Sequence, residues 1–203
     1  MKQRIAVLVS GGGTNLQALL DKEQAGGIPS GEIVLVLSNR EGAYALTRAR
    51  NAGKAAFTVT RKQAGSQEAF EQAICRILEE NGIDLIILAG FLAILSRDFT
   101  DRWAGRIINI HPSLIPSFCG AGFYGLHVHE AALARGVKVS GATVHYVNEI
   151  PDGGEIILQK AVSVLPGDTP ETLQKRIMEE AEWILLPEAA EMVCRKLQEN
   201  GGK

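Results

Sequence analysis

Ile107-Ile108-Asn109-Ile110-His111-Pro112-Ser113-Leu114-Ile115-Pro116 is the stretch on which the reading of the chain turns. Its apolar run reads as a buried strand that ends at a polar edge. Pro112 holds His111 toward extended geometry. Asn109 and His111 are two residues apart, so on a strand both project to the same side. A ligand at that edge would meet an amide and an imidazole together. Inside an aliphatic run each needs a hydrogen-bond partner. The alternative is a strand end with two incidentally satisfied polar residues.

Outward from that strand, apolar runs alternate with helical patterns. Ile5–Val9, Ile33–Leu37, Ala55–Val59 and Asp84–Gly90 read as strands; the continuous apolar run Ile5–Val9 suits burial on both faces, and Ile33–Leu37 reads as a second buried strand. Leu16, Leu19 and Leu20 mark a helix after the first strand, Ala43–Ala52 a second, and Gln67–Glu80 a third stopped by Asn81-Gly82. This alternation predicts an α/β fold with a mostly parallel central sheet and helices on both faces. Ligands of such sheets sit beyond the carboxyl ends of the strands. The pattern changes after Pro116. Ser117–Leu126 reads as a loop, Val128–Arg135 as a short helix, and Ala142–Val147 and Glu155–Val162 as two strands. Their separation by the Asp152-Gly153-Gly154 turn suggests an antiparallel C-terminal part. Asp168-Thr169-Pro170-Glu171 starts a helix expected to reach about Gln198, with a bend or break near Pro187. Asn200–Lys203 is expected to fray.

The 203 residues carry 46% hydrophobic and 22% charged side chains, a balance that allows one core. No linker, repeat or low-complexity tract divides them, so one domain spanning 1–203 is expected. A net charge of −2 gives no general pull toward nucleic acid or an anionic membrane. Cys75, Cys119 and Cys194 make neither a disulfide framework nor a zinc pattern. The first apolar run is too short for a signal peptide, and no segment approaches a membrane span. A cytoplasmic protein is expected.

Ser10-Gly11-Gly12-Gly13-Thr14-Asn15 lies between a strand and a helix, where free amides and the helix dipole hold phosphate. No Gly-Lys-Ser/Thr follows, and Leu16 replaces the third Gly of a dinucleotide fingerprint. A terminal monophosphate suits the loop better than a pyrophosphate. Its bland reading is a tight turn needing glycine for geometry alone. Asp152 reads first as a turn residue. Beside an imidazole, its carboxylate would favour the protonated ring and raise the histidine pKa.

Ser10–Ala18, Leu88-Ala89-Gly90-Phe91, Ile108–Pro116 and Asp152-Gly153-Gly154 stand in the order and spacing of the phosphoribosylglycinamide formyltransferases, and the chain resembles them over nearly its whole length. The Asn-Ile-His-Pro-Ser stretch with the downstream Asp marks the wider formyltransferase family, and the Ser-Gly-x-Gly-Thr-Asn loop the glycinamide ribonucleotide branch. The resemblance implies a Rossmann-like fold and a one-carbon transferase of de novo purine (IMP) biosynthesis. Its substrates would be glycinamide ribonucleotide and the co-substrate 10-formyltetrahydrofolate, with no metal, no nucleic acid and no membrane. The enzyme would be a monomer or homodimer.

By the same resemblance His111 stabilises the tetrahedral oxyanion and moves the proton, Asn109 donates to the same oxygen, and Asp152 orients His111. Gly13, Thr14 and Asn15 would hold the substrate phosphate, in an N-terminal half of about 1–100. Leu92, Ala93, Ile94 and Leu95 would grip the pterin, and Asn109 with the loop Asn148, Glu149, Ile150, Pro151 and Asp152 would complete a folate and catalytic half of about 101–203. Glu182, at a spacing one residue different, and His127 match substrate-contacting positions. His145 reads as a core or supporting residue. Ala93 and Gln67 replace basic residues that assist folate binding in relatives, and loop 117–124 is longer than in the best-known bacterial forms. A formyltetrahydrofolate hydrolase would be expected to carry a further amino-terminal domain, and a methionyl-tRNA formyltransferase a further carboxyl-terminal one. A non-catalytic phosphate-ligand module would not need all three polar residues.

Overall fold

The computed structural model describes residues 1–201. Seven strands form one sheet: β1 (Gln3–Val9), β2 (Gly31–Ser38), β3 (Ala55–Thr58), β4 (Leu85–Leu88), β5 (Ile107–His111), β6 (Val139–Tyr146) and β7 (Ile156–Ser163). Their order is β3-β2-β1-β4-β5-β6-β7. The first five are parallel, and β6 and β7 are antiparallel to their neighbours. Strand order reverses between β1 and β4, so the ends of these two strands flank the crevice where such sheets take ligands.

Helices α1 (Thr14–Gln24), α2 (Tyr44–Asn51), α7 (Pro170–Ile177) and α8 (Trp183–Gly201) cover one face. Helices α4 (Gln67–Glu80) and α5 (Arg97–Arg102) cover the other. Alternation along β1 shows why the strand runs read as continuously apolar. Ile5, Val7 and Val9 enter one core, while Ala6 and Leu8 enter the other. The sheet is a single mixed layer between helices, as the alternating pattern predicts.

Two short helices were not legible in the apolar pattern. They are α3 (Arg61–Ala64), capped by Thr60, and α5, capped by Ser96. Helix α6 (Leu126–Arg135) begins two residues earlier than expected. The β6–β7 connection is not a tight hairpin. It spans 147–155, and its base is closed by a 2.8 Å hydrogen bond from the Tyr146 amide to the Glu155 carbonyl. A Cβ on Gly154 would overlap the Tyr146 carbonyl, so glycine is needed for this approach.

The expected break at Pro187 is also corrected, because Pro187 lies inside α8. The interruption is a π-helical turn, Met178–Glu182, between α7 and α8. Pro187 is the fifth residue of α8, where its missing N–H forfeits only the bond to the Trp183 carbonyl. Helix α8 continues through Asn200 and Gly201, where fraying was expected; Gly202 and Lys203 lie outside the described residues.

Candidate active site

Strand β5 delivers Asn109 and His111 to one side, and the β6–β7 connection brings Asp152 to meet them. His111 Nδ1 lies 3.5 Å from Asp152 Oδ2. Asn109 Nδ2 lies 3.5 Å from Asp152 Oδ1. Asp152 has φ +55°, a left-handed conformation that Asp tolerates better than most residues.

Loop 117–124 ties this group together through its backbone. The Phe118 carbonyl lies 2.8 Å from His111 Nε2, and the Gly120 amide donates to Asp152 Oδ2 at 2.8 Å. A carbonyl only accepts, so Nε2 carries hydrogen and, in the neutral ring, Nδ1 keeps a lone pair. Phe118 has φ +51°, a strained backbone for a bulky residue, at the point where its carbonyl fixes this tautomer.

His145 on β6 completes the arrangement. Its Nδ1 lies 2.7 Å from the Tyr146 carbonyl and must carry hydrogen, so Nε2 accepts from Asn109 Nδ2 at 3.1 Å. The ring thereby orients the Asn109 amide, a placement that its position in an apolar strand did not reveal. Its Nε2 is also 3.5 Å from Asp152 Oδ1.

Burial lowers the pKa of His111 below its ordinary value. The Asp152 charge and the Phe118 carbonyl oppose this, and His145 adds to it. The carboxylate therefore acts in the direction its sequence position suggests, but burial outweighs it. For Asp152, burial alone would raise the pKa. The contact with His145, the charge of His111 and the Gly120 amide outweigh it and hold the group below the usual carboxylate range.

A cleft of about 450 Å³ opens beside Asn109 and Asp152. One wall is Phe91–Leu95, another Gly120–Tyr124, and a third Val147–Asp152. The expected segments Leu92–Leu95 and Asn148–Asp152 thus share one cleft. The glycine loop stands next to it: Ser10 Oγ accepts from the Leu92 amide at 2.8 Å and donates to Asn39 Oδ1 at 2.6 Å. This uses one main-chain donor of the Leu92–Leu95 segment internally.

Gly13 is the N-cap of α1 with φ +73°. The amides of Thr14 and Asn15 belong to the first turn, which has no intrahelical acceptors. A Cβ on Gly13 would sit 2.6 Å from Ala45 Cβ, whereas one on Gly12 would meet nothing within 4 Å. Gly13→Val is therefore expected to cost roughly 2–4 kcal/mol through backbone strain and overpacking, seen as a lower Tm. Gly12→Val is the cleaner probe. It should retain the parent Tm and weaken binding of a phosphorylated ligand in calorimetry. Equal phosphate affinity would remove the loop from the phosphate site.

Asn15 Nδ2 donates to Glu182 Oε2 at 2.6 Å, which joins the first helix to the π turn. Glu182 is buried, and burial pushes its pKa up to about 7 despite the Asn15 amide. Asn15 Oδ1 is buried with no hydrogen-bond partner among the described residues. Thr14 Oγ1 has only a 3.8 Å contact with Met178 sulfur. His127 is not brought to the cleft wall. It pairs with Glu130 at 3.0 Å and stands edge-on to Tyr124.

His129, which the sequence left without a role, is fully buried with both ring nitrogens unpartnered among the described residues. Burial, followed by the nearby His111 charge, lowers its pKa to about 4. Below about pH 6.5 the unfolded chain binds a proton at this residue and the folded chain does not. Stability is thus lost as pH falls from about 6.5 to about 4, by an amount on the order of 3 kcal/mol. His129→Leu should flatten the denaturant-measured stability over this window relative to the parent. Parallel curves would refute the assignment.

The chain matches the model of the formyl transferase family over residues 3–189. The chain belongs to the formyl transferase family. Among formyl transferase relatives, the phosphoribosylglycinamide formyltransferase of Haemophilus influenzae is 42% identical over 178 residues, covering 88% of this chain and 81% of that protein. The trifunctional purine biosynthetic protein adenosine-3 of Gallus gallus is 47% identical over 195 residues, which cover 95% of this chain but only 18% of that much longer protein. The crystal structure of glycinamide ribonucleotide transformylase 1 from Symbiobacterium toebii superposes with a TM-score of 0.90 at 44% identity, covering 96% of this chain and 89% of that one. The mixed seven-stranded sheet is therefore the formyl transferase fold. No described helix is long and apolar enough to cross a membrane.

Proposed function

We propose that this chain transfers the formyl group of 10-formyltetrahydrofolate to the amine of N1-(5-phospho-D-ribosyl)glycinamide, giving the N2-formyl product and tetrahydrofolate in de novo purine (IMP) biosynthesis. The observation that carries the reading is the convergence of Asn109, His111 and Asp152 beside a cleft walled by residues 91–95 and 147–152. Similarity to the phosphoribosylglycinamide formyltransferase of Haemophilus influenzae supports the choice of substrates.

In this reading the amine nitrogen attacks the formyl carbon, and the carbonyl oxygen gains negative charge. Asn109 Nδ2, oriented by His145, donates to that oxygen. The nitrogen must then lose a proton and the folate N10 must gain one as its bond to carbon breaks. His111 Nδ1 receives the first and supplies the second. Asp152 stabilises the imidazolium present between the two steps. Gly13, Thr14 and Asn15 hold the phosphate, in the part of the chain before about residue 100. Glu182 and Asn15 Oδ1 bind the remainder of the ribonucleotide; burial raises the Glu182 pKa to about 7, so a fraction of the carboxyl groups is protonated near neutral pH and able to donate. The cleft takes the folate, pterin inward against Leu92–Leu95 and the 148–152 segment.

The test is formyl transfer with both substrates and with each omitted. Tetrahydrofolate should form only when the ribonucleotide is present. Folate turnover without it would indicate a hydrolase, and binding without turnover a ligand-binding module.

A further inference from the structure

The neutral His111 ring has one hydrogen and two acceptors that compete for it. The Phe118 carbonyl stands 2.8 Å from Nε2, and the Asp152 carboxylate 3.5 Å from Nδ1. A carboxylate is the stronger acceptor. Unopposed, it would draw the hydrogen to Nδ1 and leave no lone pair there for an incoming proton. The carbonyl prevents this by its position. With the hydrogen on Nδ1, the Nε2 lone pair would face the Phe118 oxygen at 2.8 Å, one acceptor against another. The choice of tautomer therefore rests on whatever keeps that carbonyl in place.

Phe118 does not stay there by its own preference. Its φ of +51° is a conformation that a bulky side chain disfavours, so it has to be held from both sides. On the carboxyl side the Gly120 amide is bound to Asp152 Oδ2 at 2.8 Å. On the amino side the hold comes from Ser113. Its Oγ donates to the Ser117 carbonyl at 2.6 Å, with the Phe118 carbonyl 3.4 Å away. The Ser117 carbonyl belongs to the rigid peptide unit that joins Ser117 to Phe118, so fixing it fixes the plane about which the strained φ is set. Ser113 is fully buried and lines no part of the cleft, so its hydroxyl serves the protein rather than a ligand.

Ser113 is in turn anchored to the sheet. Its carbonyl accepts at 2.7 Å from Oγ1 of Thr143, the β6 residue paired with His111. The same Thr143 oxygen accepts from the Ile115 amide at 3.1 Å and from Nε2 of Gln159, on β7, at 3.0 Å. With one hydrogen given and two accepted, its capacity is full. Gln159 Nε2 also donates to the Ile115 carbonyl at 2.9 Å. An unbroken series of bonds thus runs from β6 and β7 through Ser113 to the carbonyl that His111 meets.

We propose that Ser113 is a positioning residue that sets the His111 tautomer. Its hydroxyl holds the Ser117–Phe118 backbone so that the Phe118 carbonyl takes the ring hydrogen on Nε2. Without that hydroxyl the strained segment relaxes, the carbonyl leaves Nε2, and the hydrogen passes to Nδ1 and is directed at Asp152. The catalytic consequence rests on the proposed role of Nδ1 as the atom that receives the amine proton; the tautomer itself does not.

The experiment reads the tautomer from imidazole nitrogen chemical shifts by NMR at about pH 8, where the His111 ring, its pKa below the ordinary value, is neutral. The His111 signals are those missing from His111→Gln. Spectra, Tm, kcat and both KM values are compared for the parent, Ser113→Ala, Ser113→Thr and Ile74→Val. Ser113→Thr keeps the hydroxyl, and Ile74→Val trims the core under α4 for a small loss of Tm away from this network. The parent is expected to carry hydrogen on Nε2 and a lone pair on Nδ1. In Ser113→Ala a substantial share of the hydrogen should move to Nδ1, and kcat should fall about tenfold, the worth of about one hydrogen bond, with both KM values within about twofold of the parent. Ser113→Thr and Ile74→Val should keep the parent tautomer. Hydrogen on Nδ1 in the parent would overturn the proposal even if no Ser113 variant folds. An unchanged tautomer in a folded Ser113→Ala would overturn it too, whether or not the folate KM rises, because a rise alone means only a looser loop. Absence of formyl transfer by the parent would strike the proposed reaction, while the spectra would still decide what Ser113 does to the ring.

Discussion

His111→Ala is expected to lower kcat by a factor on the order of 10²–10³, the usual consequence of removing one positioned group at a developing charge. The ring is the group through which the transferred proton passes in the proposed reaction; the other imidazole 3.5 Å from Asp152, that of His145, has its Nε2 engaged by the Asn109 amide. The residue is buried and is bonded to the Phe118 carbonyl at 2.8 Å, so alanine leaves that acceptor with only the longer 3.4 Å contact from Ser113 Oγ. That loss costs about 1–3 kcal/mol of stability. His111→Gln serves as the companion, since its amide can still donate toward Phe118 while lacking a basic nitrogen. Both variants should lose turnover, and Gln should recover most of the lost Tm. Turnover within about twofold of the parent in either variant would remove His111 from the chemistry.

Asp152→Asn should reduce the plateau of kcat by about 10² or more while leaving the fold in place. Asn accepts the left-handed backbone at this position and keeps a side-chain acceptor for the Gly120 amide. What is lost is the negative charge 3.5 Å from His111 Nδ1. That charge raises the His111 pKa against the larger effect of burial, so without it the pKa falls further. If the neutral ring receives the amine proton, the acid limb of kcat/KM follows this pKa and moves to lower pH. The plateau falls at the same time, because the imidazolium formed during turnover has lost its counter-charge. A pH–rate profile beside a melting curve decides the matter. Parent rates and an unmoved limb in a well-folded variant would reduce Asp152 to a turn residue.

Much of this was legible in the chain because the strong signals are physical and local. Buried parallel strands must be apolar on both faces, and β1, β2, β4 and β5 read that way. Two polar residues at i and i+2 on a strand share a side, which is enough to pair Asn109 with His111. Helices α3 and α5 escaped because four and six residues are too few for an apolar period to show. Their caps, Thr60 and Ser96, were the available signal. Pro187 drew attention to the wrong place because proline disrupts a helix only where its missing donor is needed. The partners of His111 and Asp152 in loop 117–124 are a carbonyl and an amide, groups that every residue has, so no side-chain pattern announces them. His145 sits in a strand and His129 near the start of a helix, and neither setting reveals what meets the ring: one has partners for both nitrogens and the other has none among the described residues.

The wide turn at Met178–Glu182 also bears on descent. A π turn amounts to one residue added to an α-helix without rotating the segments on either side. Leu173 and Ile177 before it, and Leu185, Leu186 and Ala189 after it, can therefore all stay seated in the same core. Such a turn lets a lineage gain or lose a single residue here while the framework is conserved. What changes is the local aim of the side chains it carries, among them the carboxyl that meets Asn15. If Glu182 matches the acidic position that the resemblance implies, the one-residue difference in its spacing falls at this turn.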